Sequence, residues 1–144
     1  MLTQQGETEM QPIPWKEQYE IGVKEIDKQH RHLLDIINQV IASIEKNNEW
    51  KTTGSLVNSL INCAYNHFST EERYMLESGY PELSWHIGLH LEFMRKVFAL
   101  SERAKQKIPD AHQEVLSYLE KWYYEHVLEI DRRYMSYLVE KGIK

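Results

Sequence analysis

Four long stretches of this chain repeat apolar residues at three- and four-residue steps, and each stretch carries histidine on its apolar line. Such steps mark one face of an α-helix. Four such faces within a chain of 144 residues are covered most simply by packing on one another. The spacing predicts a first helix from near Ile26 or Asp27, with Asp27 as its N-cap, burying His30, Leu33, Ile37, Val40 or Ile41, and Ile44. A second helix is expected from about Lys51 to Glu77, with Leu56, Leu60, Cys63, Ala64, His67, Glu71 and Met75 on its stripe and Gly54 weakening its first turn. "SGYP" stops it. The third, from about Glu82 to Gln106, carries Leu83, His86, His90, Phe93, Val97 and Leu100, and "KIPD" follows. The last, from about Asp110 to Glu140, turns Val115, Leu119, Trp122, His126, Ile130, Tyr134 and Leu138 inward, with Gly142 just past its end. The expected fold is all-α: an up-down-up-down four-helix bundle.

Upstream, "IPWKEQYEIGVKEID" alternates Trp15, Tyr19, Ile21, Val23 and Ile26 with polar residues, as an extended arm over apolar surface does. Residues 1–12 lack such anchors and are expected to be loose, which leaves 13–144 as one bundle domain.

Charge excludes several classes of partner. A formal charge of −5, with acids and bases interspersed, offers no basic field to nucleic acid or to a membrane surface. No apolar run approaches the roughly 20 residues needed to cross a bilayer. The single cysteine, Cys63, forms no internal disulfide, and "MLTQQGETEMQPIP" is too polar for a signal peptide, so a cytoplasmic location is expected. The outer helix faces are charged and show no second apolar stripe, which predicts a monomer.

One histidine on an apolar stripe is ordinarily a core residue with a hydrogen-bond partner. Five together, His30, His67, His86, His90 and His126, drawn from all four helices, demand another account, as does Glu71 one turn beyond His67. Burying them uncompensated costs several kcal/mol per group. A metal site removes that cost, since it accepts a lone pair from every imidazole and offsets the charge of a carboxylate. His32, about 200° around the helix from His30, should face solvent. His112, at a helix start, is also expected to be exposed, and Cys63 is expected to be core filler. In "HVLEIDRRY" the choice of acid is open. Glu129, three residues after His126, suits regular helical spacing, whereas Asp131, five residues after, lies about 140° away unless the helix widens locally into a π-bulge.

These segments resemble the hemerythrins, specifically the bacterial single-domain kind. The resemblance rests on "WKEQYEIGVKEIDKQHRHLLDIIN", "HFSTEERYM", "GYPELSWHIGLH" and "WYYEHVLEID" in order, and covers nearly the whole chain after Pro14. It implies reversible dioxygen binding at a non-haem di-iron centre, with carriage, storage, delivery or sensing of the gas as the role and no substrate turned over. It implies that His30 and His67 bind one iron, that His86, His90 and His126 bind the other, and that Glu71 and Asp131 bridge both. Five imidazoles, two bridging carboxylates and an oxo or hydroxo bridge fill roughly eleven of the twelve positions of two octahedral metals. One position stays open, on the iron with two histidines, for dioxygen or another small ligand. The identity of the metal follows from the resemblance, since the same donors suit zinc, manganese or copper.

The chain departs from the family at one point. Where relatives commonly have leucine in the wall of the dioxygen pocket, three residues before the last histidine, this chain has Tyr123, while Trp122 keeps the family's residue type. The phenol is expected to pack its ring in the wall and send its hydroxyl outward to water or a carbonyl. The alternative is a hydroxyl aimed at the open position, where it favours loss of the bound gas as hydrogen peroxide. That alternative leads to the competing function, a di-iron oxidoreductase acting on peroxide or another small oxidant. The chain lacks the Glu-x-x-His repeats of oxygen-activating carboxylate bundles, and an open position argues against a purely structural metal.

Overall fold

The computed structural model describes residues 11–143, so the loose start expected over 1–12 lies, up to residue 10, outside the described residues. Four rods form the expected all-α bundle: α1 (Lys24–Glu45), α2 (Trp50–Ser78), α3 (Leu83–Lys105) and a composite fourth. The fourth rod begins as α4 (Ala111–Trp122), widens into a π-helical stretch (Tyr123–Ile130) and ends as α5 (Asp131–Glu140). Each rod packs on its sequence neighbour and α1 closes the ring against α4, which is the up-down-up-down order. Short junctions enforce it. Gly79, with φ of +73°, ends α2 in the left-handed conformation, and the Tyr80 amide donates back to the Met75 carbonyl at 2.9 Å.

The arm begins with Ile13, buried and tied to Asn38 by two hydrogen bonds, passes through a single 3-10 turn at Glu17–Tyr19, and buries Tyr19, Ile21 and Val23. Asp27 does not cap the first helix. That helix starts earlier, at Lys24, because Gly22 at φ +94° turns two successive amides back toward the Asp27 carboxylate, which accepts from Ile21 N at 2.6 Å and Gly22 N at 3.1 Å. Asp27 therefore fastens the arm to the bundle. Asp27→Ala is expected to lower stability by about 2 kcal/mol, read from the urea midpoint at unchanged slope, because two amides lose a charged acceptor.

Several inward positions differ from the periodic expectation. Thr53 and Val57 take the inner line of α2, and Leu56 and Cys63 sit half-buried at its flank. Counted back from Met75 and Glu71, the buried line runs through Ala64, Leu60 and Val57, and Leu56 lies one residue, about 100° of helix, from Val57. His32 is exposed as expected, but His112 is half-buried, its ring edge-on to Trp50 at 5.4 Å.

Two apolar clusters divide the interior. The larger gathers Leu33, Ile37, Leu60, Phe68, Phe93, Val97, Leu119 and their neighbours, and the smaller gathers Ile21, Val23, Ile26, Met75, Tyr80, Tyr134 and Leu138. On every rod the histidines and acids fall between the two. The bundle thus carries a polar layer sealed on both sides by apolar packing, the condition under which charged groups need a partner rather than water.

Candidate metal centre

All seven residues His30, His67, Glu71, His86, His90, His126 and Asp131 are buried, and they converge. Their ligand atoms fall into two groups, each within 4.8 Å: His30, His67, Glu71 and Asp131 in one, and His86, His90, His126, Glu71 and Asp131 in the other. Both acids belong to both groups. Glu71 turns Oε2 toward His67 Nε2 at 3.3 Å and His30 Nε2 at 3.5 Å, and Oε1 toward His90 Nε2 at 3.2 Å. Asp131 turns Oδ2 toward His30 Nε2 at 3.2 Å, and Oδ1 toward His86 Nε2 at 3.1 Å and His126 Nε2 at 3.2 Å. Each carboxylate therefore offers one oxygen to each group.

The π-helical stretch accounts for the fourth rod's part in this. Asp131, five residues beyond His126, faces the same centre because the backbone between them is widened. The same widening leaves Ile130, expected inward, only half-buried, and Glu129, the alternative that regular spacing favoured, lies exposed.

The donors suit a cation. All five imidazole Nε2 atoms, together with Glu71 Oε1 and both Asp131 oxygens, are buried without a hydrogen-bond partner among the described residues, although they stand within ion-pair distance of each other. Native interiors leave few such atoms. Eight in one small volume, all lone-pair donors once the imidazoles are neutral, match a metal cluster and no apolar ligand.

Outer contacts orient these donors. Gln29 Nε2 donates to Thr70 Oγ1 at 3.0 Å, so its Oε1 is left to accept from His67 Nδ1 at 2.9 Å. Glu72 Oε2 accepts from His90 Nδ1 at 2.8 Å. Both contacts place the ring proton on Nδ1 and free Nε2 for a metal. Tyr134, fully buried, donates its hydroxyl to Glu71 Oε2. Phe68 stacks on His90 at 3.8 Å between ring centroids, and Trp122 on His126 at 5.0 Å, which fixes those ring planes. Gln29 and Glu72 fall outside the periodic stripes, because each lies one residue from an inward position and so points at the neighbouring rod. The signal available in sequence was a hydrogen-bonding side chain directly beside a candidate ligand.

Tyr123 corrects an expectation. Its ring is wholly buried, 6.5 Å from Tyr19, and its hydroxyl, instead of reaching water or a carbonyl, has no partner among the described residues. Tyr19 of the arm packs its ring edge against this buried phenol. Burial above all pushes the phenol's pKa upward, so Oη keeps its proton.

Metal-free, the cluster neutralises itself. Burial opposes a charged His30, but Asp131 and Glu71 outweigh it and push its pKa up to about 9. For His90, Glu71 and Glu72 outweigh burial, again raising it to about 9. Burial prevails at His67 and lowers it. Burial acts to raise Glu71, yet the imidazoles, His67 foremost, hold it well below the usual carboxylate range. Burial and Glu71 likewise act to raise Asp131, but His126 and His30 hold it low. The raised imidazoles contribute stability that is complete below pH 6.5 and lost as pH rises through about 9, whereas the lowered carboxylates contribute stability that is lost only in acid. The midpoint of thermal unfolding of metal-depleted protein should therefore fall between pH 6.5 and 9, and metal loading should flatten that fall by displacing the protons.

Residues 21–138 match the family model described as Hemerythrin HHE cation binding domain. The chain is 31% identical over 126 residues to a bacteriohemerythrin of Clostridium acetobutylicum, across 85% of this chain and 98% of that protein. It is 27% identical to a bacteriohemerythrin of Stenotrophomonas maltophilia, across 85% of this chain and 78% of that protein. With the myohemerythrin of Riftia pachyptila it shares 24% identity, across 88% of this chain and 94% of that protein.

Proposed function

The chain belongs to the hemerythrin family, and from that premise we propose that it holds two non-haem irons in the buried cluster and takes up dioxygen reversibly. The observation that carries this reading is the division of Glu71 and Asp131, one oxygen of each toward each histidine group. His30 and His67 would hold one iron, His86, His90 and His126 the other, with the two carboxylates spanning both. Bound there as a ferrous pair, the irons would supply the two electrons that reversible dioxygen uptake requires.

The chain's own residues then do three things. The stacked rings of Phe68 and Trp122 and the apolar cluster behind them exclude water, so charge in the layer is not screened. Gln29 and Glu72 hold His67 and His90 in the tautomer that presents Nε2. Tyr123 keeps a proton on a buried Oη that no neighbour accepts among the described residues. Among the described residues no helix is long and apolar enough to cross a membrane.

The unpartnered Tyr123 hydroxyl favours a second reading, a di-iron oxidoreductase that consumes peroxide. Stopped-flow mixing of the reduced, iron-loaded protein with dioxygen separates the two. A visible band that forms with the gas and vanishes under vacuum supports reversible binding. Steady consumption of hydrogen peroxide with an added electron donor supports the enzyme. Absence of both, in protein carrying iron, overturns both.

A further inference from the structure

The two halves of the cluster are held by outer partners of unequal charge. His67, in the two-histidine group, gives its Nδ1 proton to the neutral carboxamide of Gln29, whose orientation is locked by Thr70, itself bonded to the Asn66 carbonyl at 3.1 Å. His90, in the three-histidine group, gives its Nδ1 proton to the carboxylate of Glu72. The Nδ1 atoms of His30 and His86 have no partner among the described residues, so they do not offset this difference. A carboxylate acceptor draws the Nδ1 proton outward and makes Nε2 the stronger donor to a metal, whereas an amide does so far less. Glu72 is partly exposed, with a side chain 31% accessible, so solvent weakens its field without cancelling the direct hydrogen bond.

We propose that Glu72 and Gln29 are positioning residues that set the order in which the two metals are oxidised. The carboxylate on His90 stabilises the ferric state in the three-histidine half, which gives up the first electron. The amide on His67 leaves the two-histidine half ferrous until the second step. This inference rests on the di-iron reading above and adds to it a functional inequality between the halves. It gives the half with the open position the higher potential, so that half is the last to become ferric.

A stepwise redox titration of the iron-loaded protein tests it, with Mössbauer spectra of the one-electron-oxidised form identifying the ferric site. Glu72→Gln keeps an acceptor for His90 and removes the charge. It should raise the first potential by about 59 mV, a tenfold change in a one-electron equilibrium. Gln29→Glu should lower the second potential by a similar amount and bring the two steps together. A purely structural role for either residue moves neither potential, because both variants retain an acceptor. Unchanged potentials in both variants overturn the inference and leave the di-iron reading standing. Wild-type protein that takes up no iron anaerobically overturns both.

Discussion

Glu71→Ala is expected to retain less than half the iron of the wild-type chain after anaerobic ferrous reconstitution and dialysis, measured by plasma emission spectroscopy. Like Asp131, Glu71 turns its two oxygens toward both histidine groups, so its loss removes a donor from each group at once. It also strands Tyr134, whose buried hydroxyl donates to Glu71 Oε2, and leaves His67 Nε2 and His90 Nε2 without the carboxylate oxygen each faces. Breaking a buried ionic contact of this kind costs about 3 kcal/mol, so the metal-free variant should unfold at distinctly lower denaturant. Glu129→Ala is the matched control. Glu129 belongs to the fourth rod, between His126 and Asp131, but lies exposed, and its removal should change neither iron content nor stability by more than about 0.5 kcal/mol. Equal iron in Glu71→Ala and wild type would remove the bridging role.

Tyr123→Phe is expected to slow autoxidation of the oxygenated protein by about tenfold, equivalent to roughly 1.4 kcal/mol on the barrier. The phenol is fully buried, keeps its proton and has no partner among the described residues, so it is an uncommitted donor in a dry wall. A hydrogen bond to a charged acceptor in such surroundings is worth about 1.5–3 kcal/mol, enough to promote proton transfer and loss of hydrogen peroxide. Phenylalanine keeps the ring and its packing against Tyr19. Decay of the visible band at constant pH and temperature is the readout. An unchanged rate would assign the phenol to packing alone and weaken the case for peroxide chemistry.

The fold was largely legible, because helical periodicity is a local quantity. The positions His30, Leu33, Ile37 and Ile44, or His86, His90, Phe93 and Val97, share a face whatever surrounds them, and all are buried. Leu56 misled because stripes one residue apart look alike until another helix selects between them. Asp27 misled for a related reason: an acid near a helix start reads as a cap, and only the turn at Gly22 shows which amides it serves.

Of the cluster, the five histidines and Glu71 stand out in the sequence because inward polar residues at helical spacing call for a common explanation. Asp131 does not stand out by spacing. On a regular helix Glu129 is the better neighbour of His126, and what reverses that order is the π-helical widening from Tyr123 to Ile130. The resemblance selected Asp131, and the structure supplies the backbone reason.

By itself, the sequence determined four amphipathic rods, their order, and a polar layer at matching depth in each, since these follow from the angle each residue advances along its own helix. Only the tertiary structure decided that each carboxylate faces both histidine groups, that Gln29 holds His67 while Glu72 holds His90, and that the Tyr123 hydroxyl is buried without a partner among the described residues. Those outcomes depend on which side chain meets which across a gap between rods. That is a distance between parts of the chain far apart in sequence, and no local repeat encodes it.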